Sequence, residues 1–286
     1  MKKIIALTLG IAAIAATAYF GSHYFSPTQE EPAIFPQVYS VNQVKDELAQ
    51  ANSSTFVFFD CDDTLITADD YLPRTFYLPL SLRLLMLLKH PSLLFKKGEG
   101  ERLYSLMLEQ APRKLVEPEV VNVIKNLHAQ DAHVLGITGM ETGRFGIFEN
   151  LPAWRADMLK DFGVVLCNEF ENVTFDNLPL YRNNYPALHN GLICCNQIPK
   201  GTLIGAFLDH FKLKPSTIIL FDDTHDELVS LQEECAKRNI KAVCYHYKAV
   251  SRLYNQQFNL WHTLKQIDHL IEHSSWLPDA APQPAH

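Results

Sequence analysis

Short, uninterrupted apolar runs that end abruptly in acidic or hydroxyl side chains recur along this chain. Residues 56–59 (Phe-Val-Phe-Phe) run into Asp60, Asp62 and Asp63; residues 134–137 run into Thr138 and Gly139; residues 218–221 run into Asp222, Asp223 and Asp226. A strand buried on both faces shows no polar alternation, so these runs predict central strands of a parallel sheet. Further strand-like stretches fall at 163–166, 191–195 and 241–246. Helical periodicity is read at 41–51, 118–127, 151–160, 203–211, 227–238 and 254–273. Strands alternating with helices predict an α/β protein with a Rossmann-like parallel sheet.

The rhythm breaks between residues 66 and 132, a long insertion with its own apolar segments at 77–88, 91–95 and 103–108. Within it, residues 78–88 form the most apolar part of the chain after its start. Pro79, Arg83, Lys89 and Pro91 argue against a span there and favour a buried helix. An interfacial membrane contact, with Arg83, Lys89, Lys96 and Lys97 near lipid headgroups, and a dimer contact stay open beside it. Residues 167–199 carry irregular signals that suit a hairpin.

The termini differ from the body. Two lysines precede an uncharged apolar run over 4–20, with a small-x-small site at Ala16-Thr17-Ala18. Residues 1–25 therefore read as a signal peptide or an amino-terminal anchor, and either one exports the body to the periplasm or beyond. Residues 26–40, with Pro27, Pro32 and Pro36, suit a linker, and 274–286 a flexible tail.

A chain of 286 residues, 47% hydrophobic, can bury one substantial core with a smaller lobe. The formal charge of −7 and the lack of a basic stripe argue against nucleic-acid binding and favour a small molecule or a peptide as substrate. Six cysteines in an exported chain admit disulfides, but their spacing matches neither a stapled scaffold nor a zinc site.

The chemistry concentrates at the strand ends. In a parallel sheet the carboxyl ends of the strands form the ligand crevice, and carboxylates clustered there call for a hard cation such as Mg²⁺. Lys200 at the start of a helix conflicts with the helix dipole, which suggests a negative partner. Asp60-Cys61-Asp62-Asp63-Thr64-Leu65 after its strand, Thr138 after the next, Lys200, and Asp222-Asp223 with Asp226 resemble, in order, the four motifs of the haloacid dehalogenase (HAD) superfamily of phosphohydrolases and phosphotransferases. The likeness covers residues 55 to 246.

That resemblance implies a HAD-like core over 41–65 and 133–273, with a mainly helical cap over 66–132. It implies Asp60 as the nucleophile, Asp62 as general acid and base, and Thr138 and Lys200 as partners of the transferring phosphoryl group. Mg²⁺ would be held by Asp60, the main-chain carbonyl of Asp62 and Asp222, with Asp223 and Asp226 supporting it. The export signal, the insertion and residues 191–201 are further similar to exported HAD-like proteins of unknown function from intracellular bacteria. A phosphatase acting on a small phosphorylated substrate is the expectation. A HAD-fold binding protein without turnover is the alternative.

Overall fold

The computed structural model describes residues 34–75, 89–90, 98–253 and 259–279. The readings for residues 1–25 and for the leucine-rich stretch at 78–88 lie outside them. The unit that begins at Phe35 is α/β.

The chain enters the sheet earlier than its prolines suggest. β1 (Gln37–Val38) pairs in parallel with the last strand, so the expected linker over 26–40 ends inside the fold. Ser40 caps a 3-10 turn at Val41–Val44 that leads into α1 (Lys45–Leu48) and then β2 (Thr55–Asp60). After β2 come the short strand β3 (Ile66–Ala68), α2 (Tyr71–Thr75), α3 (Glu99–Gln110) and β4 (Arg113–Leu115). β3 and β4 pair antiparallel, so the insertion leaves and re-enters the core through a two-stranded ribbon in addition to its helices.

The core resumes with α4 (Val120–Ala129), β5 (His133–Thr138) and α5 (Leu151–Asp161). α4 corrects the expected extent of the cap. Its Val120, Ile124 and Leu127 share one buried face and pack in the cluster that holds Val57 and Val134 of the sheet, so this helix is a layer of the core.

β6 (Val173–Thr174), β7 (Ala187–His189) and β8 (Leu192–Cys194) follow. The turn between β7 and β8 is Asn190-Gly191, both at positive φ, a pair that two-residue hairpins favour. The strand expected at 163–166 is not formed. Its one main-chain bond to β5 among the described residues is the Cys167 N–H to the Val134 carbonyl (2.7 Å), and from Gly136 onward the neighbour of β5 is β8. The chain continues through α6 (Lys200–His210), β9 (Thr217–Asp222), α7 (His225–Arg238), β10 (Lys241–Tyr247) and α8 (Leu260–His273).

Eight of the ten described strands form one sheet in the order β1-β10-β9-β2-β5-β8-β7-β6. It is parallel from β1 to β8, and β7 pairs antiparallel with both β8 and β6. β2 lies near its middle with both faces covered, which is why residues 56–59 are all apolar. Phe56 and Phe58 face α6 and α7, with Phe207, Leu208, Leu228 and Leu231. Val57 and Phe59 face α4 and α5, and Phe59 stacks on Phe221 with ring centroids 4.8 Å apart. The pairing of Phe59 with Phe221 and of Asp60 with Ile137 brings the carboxyl ends of β9, β2 and β5 into line.

The expected tail is also shorter. Trp276 is buried against Leu72, Leu103, Met107 and Leu270, and its indole N–H donates to Asp70 Oδ2 (2.5 Å). Asp70 accepts a second bond from the N–H of Asp279 (2.8 Å), so residues 274–279 are tied to the insertion. Trp276→Ala is therefore expected to cost about 3 kcal/mol, read as a lower denaturation midpoint with an unchanged slope. A frayed tail would lose less than about 0.5 kcal/mol.

Candidate functional site

Asp60 ends β2 and Asp222 ends β9, on neighbouring strands in aligned register. Both carboxylates are buried, at 6% and 0% exposure, where an unpaired charge would be costly. Lys200 resolves this. Its ammonium, itself 4% exposed, donates to Asp60 Oδ1 and to Asp222 Oδ2, each at 2.6 Å.

The mismatch between a lysine and a helix amino terminus is thus settled by two strand-end carboxylates. A further carboxylate, Glu227 in the first turn of α7, accepts the main-chain N–H of Lys200 (2.7 Å). α6 can approach α7 this closely because residue 201 is glycine: a Cβ there would lie 2.1 Å from the Ser230 carbonyl oxygen.

Asp223 joins this pair, and carboxylate oxygens of Asp60, Asp222 and Asp223 lie within 4.8 Å of one another. Burial pushes Asp60 up to about 7, with Asp222 adding to the effect and Lys200 opposing it. Burial, then the nearby Asp60, pushes Asp223 up to about 6. Asp222 is raised by burial against the pull of Lys200 and of the Thr224 N–H. For Lys200, burial works against the charge, and Asp60 and Asp222 together outweigh it and raise its pKa. Three carboxylates against one ammonium leave negative charge in excess, on hard oxygen donors, and this donor set fits Mg²⁺.

The cluster opens into a cavity of about 460 Å³ whose lining includes Asp60, Asp62, Asp63, Thr138, Lys200 and Asp223. Thr138, at the end of β5, is buried, and its Oγ1 accepts from the N–H of Met140 (3.3 Å). A side chain at Gly139 would meet nothing within 4 Å, so the glycine keeps this wall open. After Asp60 the chain turns tightly. The N–H groups of Leu65 and Ile66 both donate to the Cys61 carbonyl, and Asp63 adopts φ 59° while accepting from Thr67 Oγ1 (2.5 Å). Asp62 leaves this turn toward solvent, 58% exposed, and meets Arg155 Nη1 at 2.8 Å.

The structure thus brings together Asp60, Thr138, Lys200, Asp222 and Asp223, with Asp62 on the same cavity. It does not bring in Asp226, whose side chain lies in the first turn of α7, 95% exposed, beside His225. Arg155 and Arg113 line the cavity and were not singled out from sequence. Arg113 falls between the stretches read as elements, and Arg155 lies on a helix read for its periodicity alone.

A second convergence, His133, Cys167 and Glu169, lies at the opposite end of β5. There Glu169 pairs with His133 and accepts from the Cys167 thiol (3.0 Å), which ties the loop after α5 to the sheet. All six cysteines are buried thiols without a disulfide. Among the described residues no helix is long and apolar enough to cross a membrane.

Sequence comparison finds relatives among rickettsiae, which are intracellular bacteria. An uncharacterized protein of Rickettsia felis is 26% identical over 141 residues, 47% of this chain and 48% of its own. Uncharacterized protein RP295 of Rickettsia prowazekii is 26% identical over 141 residues, 47% of each chain. The match thus spans about half the length of these two relatives. An uncharacterized protein of Rickettsia bellii is 22% identical over 235 residues, 78% of each chain. Residues 37–276 match the family described as "Protein of unknown function (DUF2608)", bounds that run from β1 to Trp276, and the chain belongs to that family.

Proposed function

We propose that this protein is a Mg²⁺-dependent phosphomonoester hydrolase of the HAD type, working through an aspartyl-phosphate on Asp60. The observation that carries the reading is the buried Asp60–Lys200–Asp222 bridge at the floor of a cavity that also holds Asp62. A carboxylate nucleophile must keep its charge while excluded from water, and Lys200 at 2.6 Å gives Asp60 that charge balance.

In the first step an Asp60 oxygen attacks phosphorus, the bond from phosphorus to the leaving oxygen breaks, and Asp62 gives that oxygen its proton. In the second, water attacks the same phosphorus and passes a proton to the Asp62 carboxylate. The bond between Asp60 and phosphorus breaks, and inorganic phosphate leaves. Thr138 and Lys200 offer donors to the phosphoryl oxygens, where charge stabilisation is expected to matter most. Asp60, Asp222, Asp223 and the main-chain carbonyl of Asp62 would hold Mg²⁺, which would supply further positive charge beside those oxygens. Action outside the cytoplasm is part of the proposal and rests on residues 1–25.

The test is phosphate release by the full chain from a panel of phosphomonoesters, with Mg²⁺ or with EDTA, and with an alcohol as a competing acceptor. Release with Mg²⁺ that falls at least about 100-fold in EDTA is expected. Phosphate recovered mainly on the alcohol would make the protein a phosphotransferase. No release from any ester, with Mg²⁺ still raising the melting temperature, would overturn the hydrolase and leave a metal-binding protein without turnover.

A further inference from the structure

The floor of the cavity is acidic, but one wall is not. Arg155 of α5 and Arg113 of β4 both line it, and their guanidinium carbons lie 5.2 and 5.8 Å from the ring of Trp154. A buried cation ordinarily has an anion of its own. These two share little.

Arg155, 3% exposed, spends Nη1 on Asp62, and its Nε is buried with no hydrogen-bond partner among the described residues. Arg113 is half-buried and forms no carboxylate ion pair among the described residues. Its Nη1 donates to the carbonyls of Leu108 and, at 3.2 Å, Ala111, at the end of α3. That caps a helix but gives the positive charge no carboxylate in direct contact, and Asp62 and Glu109 act on it only from a distance. Burial, and then Arg155, push the Arg113 guanidinium down to about 10, with Asp62 and Glu109 opposing them. Trp154 keeps both planar groups in place, and its own N–H is occupied by Glu109 (2.5 Å).

We propose that Arg113 and Arg155 form a subsite for a second anion on the substrate, carried by the group that leaves. This rests on the hydrolase reading, which makes Asp62 the acid at the leaving oxygen. Arg155 touches Asp62, so an anion bound there belongs to the leaving alcohol, whereas the transferring phosphoryl group faces Lys200 and Thr138. The substrate class is a phosphomonoester of an alcohol that itself bears a carboxylate or a second phosphate. Guanidinium forks suit either group.

Two matched pairs test this on the full chain with Mg²⁺: 3-phosphoglycerate against glycerol 3-phosphate, and fructose 1,6-bisphosphate against fructose 6-phosphate. The member with the second anionic group is expected, in at least one pair, to show a kcat/KM at least about tenfold higher. Which pair does so separates carboxylate from phosphate. Arg113→Gln should reduce that preference below about threefold through KM, and Arg113→Lys, which keeps the charge but not the fork, should fall between. Equal rates within both pairs, or a preference that survives Arg113→Gln, would overturn the subsite and leave the hydrolase standing.

A binding arm separates the two readings. Titration of 3-phosphoglycerate and fructose 1,6-bisphosphate into Asp60→Asn protein should give heat that Arg113→Gln weakens at least about tenfold. That result without turnover of any ester would keep the subsite and reject the hydrolase. Absence of binding by either ligand would reject the subsite. If Arg113→Gln fails to fold by its thermal melt, Arg113→Lys decides: a preference and affinity reduced from the parent's support the subsite, and values equal to the parent's overturn it.

Discussion

Asp60→Asn is expected to lower phosphate release by about 10⁴-fold or more while the protein stays folded. The substitution removes the oxygen that would attack phosphorus and changes almost nothing else. An amide oxygen can still accept from Lys200 Nζ, now 2.6 Å from Asp60 Oδ1, and Asp222 still balances the ammonium from its other side at 2.6 Å. Burial already pushes Asp60 up to about 7, so its charge is held at a cost that a neutral side chain does not incur. The melting temperature without Mg²⁺ should therefore match or exceed that of the parent. Two readouts belong together: the rate of release, and trapping of phosphate on the protein by acid quench, present in the parent and absent in the variant. A variant keeping a tenth of the parent's rate would sink the covalent route, since water attacking directly does not need this carboxylate as nucleophile.

Much of this site was legible in the sequence because its parts lie where a pattern stops. A strand covered on both faces is written as unbroken apolar residues, and the first charge after it marks the carboxyl end of the sheet. Asp60, Thr138 and Asp222 were found that way. Lys200 was legible as a conflict, a cation where a helix dipole disfavours one, and two anions resolve it. Asp226 shows the limit of spacing as a guide. Four residues beyond Asp222 the chain has already turned into α7, and the side chain points to solvent.

Arg155 was illegible for a different reason. α5 carries Arg155, Asp157, Lys160 and Asp161, a polar content that reads as a solvated face, and only the tertiary approach of Asp62 turns one of these residues inward. The misplaced strand at 163–166 has a similar cause. β5 offers one open edge there, and the hairpin closed by Asn190-Gly191 fills it with β8. Local β-propensity could not decide between two segments competing for the same edge.

The second large effect is expected at Lys200. Lys200→Met keeps much of the buried stem but leaves Asp60, Asp222 and Asp223 facing one another with only Lys248, on the Asp223 main-chain carbonyl, as a nearby cation. Removing one partner of a buried ionic group costs about 3–5 kcal/mol, and urea denaturation in EDTA should show a loss of that order. Mg²⁺ should then stabilise the variant more than the parent, since in the parent it shares the carboxylates with an ammonium already in place. Saturation at a hundredfold excess over Kd is worth about 2.7 kcal/mol, enough to recover a large part of the deficit. Lys200→Met with Asp222→Asn should cost less than the sum of the two single changes, because the second removes one of the charges the first exposes. Activity should be lost in every variant that lacks the ammonium, including those that Mg²⁺ restores to parental stability. A loss below about 1 kcal/mol in EDTA would instead mean that the carboxylates take up protons without difficulty. Lys200 would then be dispensable to the fold and retained for the phosphoryl group alone.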